Sequence, residues 1–347
     1  MMRAHSLRSD PAVDRAVEFL LEMQRSDGLW YDFYTLAGQS NDWVSGVVAC
    51  ALAGRATRAS TAAADRAAMA LVKRQRANGG WSYNQKVPTD CDSTAWVMRA
   101  LLRCRSSKPS ALIRATRYIL RHQDAEGGGF STYAPSDRIE RFIGVQPDQL
   151  QGWLCPHLGV TCTSVQALLE AGGDHRAPRI ASALRHIEAQ RERGGLWTCY
   201  WWRGHGYATY HALRTLGIGN ALDPAKRAEV AKAIVERQEM DGTWRIEGRD
   251  SVFETAMMLN AAELIAHMEP ALTVPMQKAR SALLALQKQD GSFEPAPILR
   301  IPPPSVPDPN LVADWRTDQE GTGVMVSDSE RVFTTACVVN ALAREGL

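Results

Sequence analysis

The chain has 347 residues, 45% of them hydrophobic, and a formal net charge of +2. That length supports one large core or two domains. With both signs of charge mixed along it, there is no electrostatic case for a nucleic-acid partner or a basic membrane-binding run. No apolar stretch reaches the roughly 20 residues that cross a bilayer. The start, Met1-Met2-Arg3-Ala4-His5-Ser6, leads into no apolar h-region, so no signal peptide is expected. Cys50, Cys91, Cys104, Cys155, Cys162, Cys199 and Cys337 are odd in number and form no CxxC pair, which suits free thiols in a reducing cytoplasm.

In chain order, one pattern recurs: Gln, two residues, an acidic or polar residue, Gly, then an aromatic. It runs from Gln24 to Trp30, Gln75 to Trp81, Gln238 to Trp244 and Gln287 to Phe293. Two copies carry one extra residue, Gln123 to Phe130 and Gln190 to Trp197. Most neighbours lie about 50 residues apart, room for two helices and their turns. Each Gly-containing loop stops one helix. The helix after it aligns on a small hydroxyl: Ser45, Thr94, Ser164, Thr209, Thr255 and Thr335. No segment sustains period-2 alternation, so no substantial sheet is expected. The expected fold is all-α: six helix pairs closing into an (α/α)6 toroid over residues 1–347, with one helix per pair lining a central cavity. Two long connections, 131–158 and 294–329, are candidate lids carrying Trp153 and Trp315.

Six Gln-Asp-Gly-Trp-type copies resemble the α/α toroid shared by triterpene cyclases, class II diterpene cyclases and protein prenyltransferase β subunits. The resemblance runs from about Ala12 to about Ala343. It implies the fold without choosing among the family's activities.

With the aligned Ser/Thr as a ruler, residues two before and two after it share a helix face. The first set is Trp43, Asp92, Cys162, Tyr207, Phe253 and Phe333; the second is Val47, Trp96, Gln166, His211, Met257 and Cys337. These are expected to face one cavity, with Trp43, Trp96, Tyr207, Phe253 and Phe333 stabilising a cationic substrate. Ordinary core packing is the alternative for the same aromatics.

Asp92 is the one carboxylate in these sets, and it lies in Asp90-Cys91-Asp92-Ser93-Thr94-Ala95. Capping of a helix is its alternative reading. Class II terpene cyclases carry Asp-X-Asp-Asp-Thr-Ala here. The resemblance therefore implies Asp92 as a general acid oriented by Asp90, with Ser93 replacing the family's last Asp. It also implies a partner that tunes the acid, for which Ser93, Cys162, Gln166 and His211 are candidates. Gln166 stands where bacterial triterpene cyclases carry His, and a core His explains His211 equally well.

Protein prenyltransferases instead show Asp-X-Cys and a His as zinc ligands. Asp92 occupies the Cys position and no His precedes an aligned Ser/Thr, so no metal site is expected. Arg203 and Arg245 are candidate contacts for an anionic substrate head, or else solvated surface residues. The resemblance implies proton-initiated cyclisation of a linear polyprenyl substrate, a prenyl diphosphate or a prenylated aromatic. No cofactor is implied, and magnesium only with a diphosphate. A non-catalytic isoprenoid- or protein-binding toroid and a prenyltransferase-like subunit stand as alternatives, and transient membrane association stays open.

Overall fold

The structure is a computed structural model, describing residues 10–55, 57–104, 108–317 and 320–343. The outer limits of the expected 1–347 domain and residues 318–319 of the second long connection fall outside these. Helix α1 (Pro11–Glu22) leads through the hairpin β1 (Asp32–Thr35) and β2 (Gly38–Ser40) to α2 (Asp42–Ala53). Then come α3 (Arg58–Arg74), α4 (Cys91–Arg103) and α5 (Pro109–Leu120). The first long connection folds two short helices, α6 (Ile139–Ile143) and α7 (Gln151–Leu154), before α8 (Leu158–Glu170). After α9 (Pro178–Ala189), α10 (Gly206–Ile218) and α11 (Pro224–Glu236) comes a hairpin, β3 (Arg245–Ile246) with β4 (Arg249–Asp250). Helices α12 (Val252–Ile265) and α13 (Thr273–Ala285) follow, then β5 (Pro297–Ile301), β6 (Val324–Ser327) and α14 (Val332–Leu342).

Helix α2 packs on α4, α4 on α8, α8 on α10, α10 on α12, α12 on α14, and α14 back on α2. This closes the expected ring. Helices α1, α3, α5, α9, α11 and α13 stand outside it, each beside inner helices. The alternation is visible in burial. Nearly every residue of α2 and α14 is buried, whereas α5 buries only Ala111, Ala115, Tyr118 and Ile119 along one stripe.

The repeat is the strap that joins the layers. Gln75 donates from Nε2 to Gly79 O at 2.8 Å and to Ala111 O, on the next outer helix, at 2.9 Å. Gln24, Gln238 and Gln287 repeat this geometry, and the last reaches Ala12 O on α1, so the final copy closes the outer layer. The Trp81 indole donates to Leu71 O at 2.7 Å, and Trp30, Trp197 and Trp244 do the same ten residues back. Gly79 takes a φ of +94°, and a Cβ there would lie 2.8 Å from Arg114 O, so only glycine fits the turn.

Four hydroxyls on the ruler meet their repeat aromatic, whereas Thr335 Oγ1 has no hydrogen-bond partner among the described residues. Ser45, Thr94, Thr209 and Thr255 accept from the backbone N–H of Trp30, Trp81, Trp197 and Trp244. In the third repeat the acceptor is Thr161, bonded to Phe130 N at 2.8 Å, not Ser164. The expected register of α8 is therefore displaced by three residues. Gly159 and Thr163 occupy the face that had been assigned to Cys162 and Gln166.

Candidate active site at the head of the inner ring

Asp90 and Asp92 divide two tasks at the start of α4. Asp90 is the N-cap, accepting from Ser93 N at 2.7 Å and from Ser93 Oγ at 2.6 Å. Burial pushes its pKa up to about 8, against the two Ser93 donors. Two residues on, Asp92 is released from capping. Its Oδ1 accepts from Thr163 Oγ1 at 2.6 Å and its Oδ2 from Trp43 Nε1 at 2.9 Å. Enclosure by protein raises its pKa above the ordinary carboxylate range. The Thr163 and Trp43 donors and the charge of Arg99 pull the other way. The carboxyl still faces a cavity, lined with Asp90, Trp43, Tyr83, Tyr133, Trp153, Trp201, Trp202, Leu299 and other apolar residues.

Several candidates fall elsewhere. Ser93 bonds Asp90, not Asp92. Gln166 is fully buried, and its amide donates to Thr215 Oγ1 at 2.8 Å and His211 O at 3.2 Å, so it does not reach the acid. Cys162 is buried beside Thr215, and His211 packs between Tyr207 and Trp96. Burial and the charges of Arg99 and Arg214 hold His211 neutral. Cys91 turns away from the cavity to Ser164 Oγ at 3.2 Å. Arg203 is paired with Glu247, and Arg245 with Asp250 at 2.8 Å, across the β3–β4 hairpin that sequence periodicity hides. Neither arginine lines the Asp92 cavity.

The single cavity expected from the register is two. Trp202 plugs the ring: its ring centroid lies 4.9 Å from Phe333 in a near-parallel stack, 4.6 Å from Tyr207 and 5.5 Å from Phe253. Phe33, from β1, fills the remaining side against Trp43 and Phe333. Phe253 and Phe333 are therefore packed floor, and Trp96 lies beneath it, lining the second cavity. Tyr207 keeps a narrow gap in common with Asp92 and His157. Of the five expected aromatics, Trp43 alone lines the main cavity beside Asp92.

Further walls come from the connections, including Trp153 of the expected lid 131–158. Trp153, on α7, is tied by its indole to Pro302 O at 3.1 Å, while Gly152 N meets Pro304 O at 2.8 Å. The two long connections thus clasp each other over the cavity, with β5 and β6 paired beside them. Trp201 Nε1 donates to Thr132 Oγ1 at 2.8 Å, and Thr132 Oγ1 also meets His157 Nδ1 at 2.8 Å. His157 holds the register of Asp90 in the third repeat. Burial lowers its pKa to about 4, so it is a neutral support for the wall. Trp315, the other expected lid residue, packs instead over the Arg300 guanidinium, 6.0 Å from its ring. Among the described residues, no three His, Cys, Asp or Glu gather as metal ligands.

Known proteins share this fold. The type II terpene cyclase MstE from Scytonema superposes with a TM-score of 0.86 at 27% identity, covering 96% of each chain. Variants of that cyclase have been solved with geranylgeranyl dihydroxybenzoate as substrate and merosterolic acid A as product. A protein from Actinoplanes matches with a TM-score of 0.84 at 31% identity, covering 96% of this chain and 98% of that one. Drimenyl diphosphate synthase from Streptomyces showdoensis is 31% identical over 132 residues, 36% of this chain and 25% of that enzyme. The matched stretch thus spans a quarter of that relative's length. The family model described as the squalene-hopene cyclase C-terminal domain matches residues 1–130 and 82–267. With a closed ring of helix pairs, its repeat straps and this match over more than half of its length, the chain belongs to the squalene-hopene cyclase C-terminal domain family.

Proposed function

We propose that the protein is a class II terpene cyclase in which Asp92 protonates a polyprenyl chain. The observation that carries this reading is the setting of Asp92: a carboxyl held by Trp43 and Thr163 and facing a largely apolar and aromatic cavity. A carboxyl kept neutral by enclosure is available to donate a proton. Its O–H adds to the terminal alkene, leaving the Asp92 carboxylate and a tertiary carbocation. Each later ring closes as a neighbouring π bond attacks the cation, and loss of a proton or capture of water ends the sequence. The faces of Trp43, Trp201 and Trp202 stabilise positive charge along that path, and the clasped connections keep water out. Asp90, which caps α4 through Ser93, makes no direct hydrogen bond to Asp92 and supports it by fixing the start of the helix that carries it.

The substrate class follows the relatives: a geranylgeranylated aromatic acid, as MstE takes, or a prenyl diphosphate, as the drimenyl enzyme's name implies. Magnesium would accompany only the second. The unpaired cysteines support a reducing, cytoplasmic setting. A second reading, a non-catalytic isoprenoid-binding toroid, draws on the Trp202 plug and on Ser93 in place of the family's last Asp. Incubation with farnesyl diphosphate, geranylgeranyl diphosphate and geranylgeranyl dihydroxybenzoate, beside Asp92→Asn, separates the two. Cyclised product from the wild type alone supports the enzyme. Tight binding of these compounds without product supports the binding protein.

A further inference from the structure

The ring has a second end. Beneath the aromatic floor, toward the C-termini of the inner helices, lies a separate cavity of about 350 Å³. Val47, Trp96, Met257 and Phe333 line it together with Arg99, Arg103 and Arg214, and none of its described lining residues is Asp or Glu. Behind these arginines stands Glu170. It accepts from Arg99 Nε at 3.2 Å and from Arg103 Nη2 at 2.8 Å, and its Oε1 lies 3.8 Å from Arg214 Nη2. Glu170 therefore reaches all three guanidiniums.

Inner-helix C-termini carry negative partial charge, and that alone draws basic residues to this end. A counterweight to carbonyl groups would spend its donors on them. Arg99 does not. It is 2% exposed, its guanidinium lies 4.6 Å over the Trp96 ring, and its Nη1 has no hydrogen-bond partner among the described residues. A donor enclosed in this way is costly unless an acceptor meets it. Guanidinium forks match phosphate oxygens in pairs, and Arg99 Nη1 is a donor left for such an oxygen.

We propose that this end of the ring binds an amphiphilic phosphate or diphosphate, the anion held by Arg99, Arg103 and Arg214 and the hydrocarbon laid against Trp96, Met257 and Phe333. The site is distinct from the Asp92 cavity. Arg99 lies seven residues further along α4, about 10 Å of helix rise, and the stack of Trp202 on Phe333 separates the two. It does not depend on the reaction proposed for Asp92.

Calorimetric titration of the full chain with inorganic diphosphate and with geranyl diphosphate tests this. Both are expected to bind, the prenyl compound at least tenfold more tightly. Arg99→Gln, Arg103→Gln and Arg214→Gln should each weaken binding tenfold or more, with Asp92→Asn unchanged. Arg103 and Arg214 are partly exposed, so their variants keep the test open where Arg99→Gln fails to fold. Equal affinity for the two probes would overturn the amphiphilic ligand. Binding of neither, or binding that survives the arginine changes but is lost in Asp92→Asn, would overturn the site.

Discussion

Thr163 Oγ1 donates a hydrogen bond to Asp92 Oδ1 at 2.6 Å, joining α8 to α4 across 71 residues of sequence. A donor to a carboxylate favours its ionised form and so makes it the stronger acid. Removing that donor with Thr163→Val raises the pKa of Asp92. The alkaline limb of the cyclisation rate profile should then move to higher pH, and the plateau rate should fall about tenfold or more. Trp43→Phe removes the other donor and should move the limb the same way. A limb that stays in place in both variants would dissociate these contacts from the acid.

Trp202 both floors the Asp92 cavity and fills the ring. Trp202→Ala should destabilise the fold by about 3–5 kcal/mol, measured by urea denaturation. The opened floor admits water to the cation, so the proportion of hydroxylated products should rise. An unchanged product profile in a folded variant would place the reacting chain away from Trp202.

Enclosed carboxyls make stability fall with rising pH. Burial lifts Asp90 to about 8 and Glu254 to about 7, well above their unfolded values. Between those values the native state holds protons that the unfolded chain has released. The contribution is complete below about pH 4 and is lost as pH rises through 7 and 8. The urea midpoint should therefore decrease from pH 5 to pH 8. Glu254→Gln keeps an acceptor for His205 N and Gly206 N, at 2.9 Å in each case, and should flatten that decline. A midpoint that rises over this range would contradict the assignment.

The Gln straps are a stability device. Gln75→Ala leaves the Gly79 and Ala111 carbonyls without their amide and should cost about 1–3 kcal/mol, read as a lower melting temperature. Activity at temperatures where the variant is folded should be unchanged.

The ring was legible because its repeat is chemical as well as periodic: each Gln, Gly and Trp makes the same bonds in nearly every copy. Asp92 was legible as the odd residue in that repeat. Thr163 was not, because α8 presents Thr161, Thr163 and Ser164 in close succession, and only the bond from Phe130 N identifies Thr161 as the equivalent hydroxyl. Phe33 escaped because it enters the ring from a connection, where no helical period governs direction. Arg203 and Arg245 looked available because Glu247 and Asp250 meet them only through a two-residue hairpin.

The most direct measurement is cyclisation in deuterium oxide, with product deuterium located by mass spectrometry and NMR. Proton transfer from an exchanged Asp92 predicts one deuterium on the ring methylene next to the gem-dimethyl carbon, because addition that leaves a tertiary cation places it on the former alkene CH. Asp92→Asn should lose cyclised product by about a hundredfold or more. Cyclised product that forms without that deuterium, or at an undiminished rate in Asp92→Asn, would contradict the account.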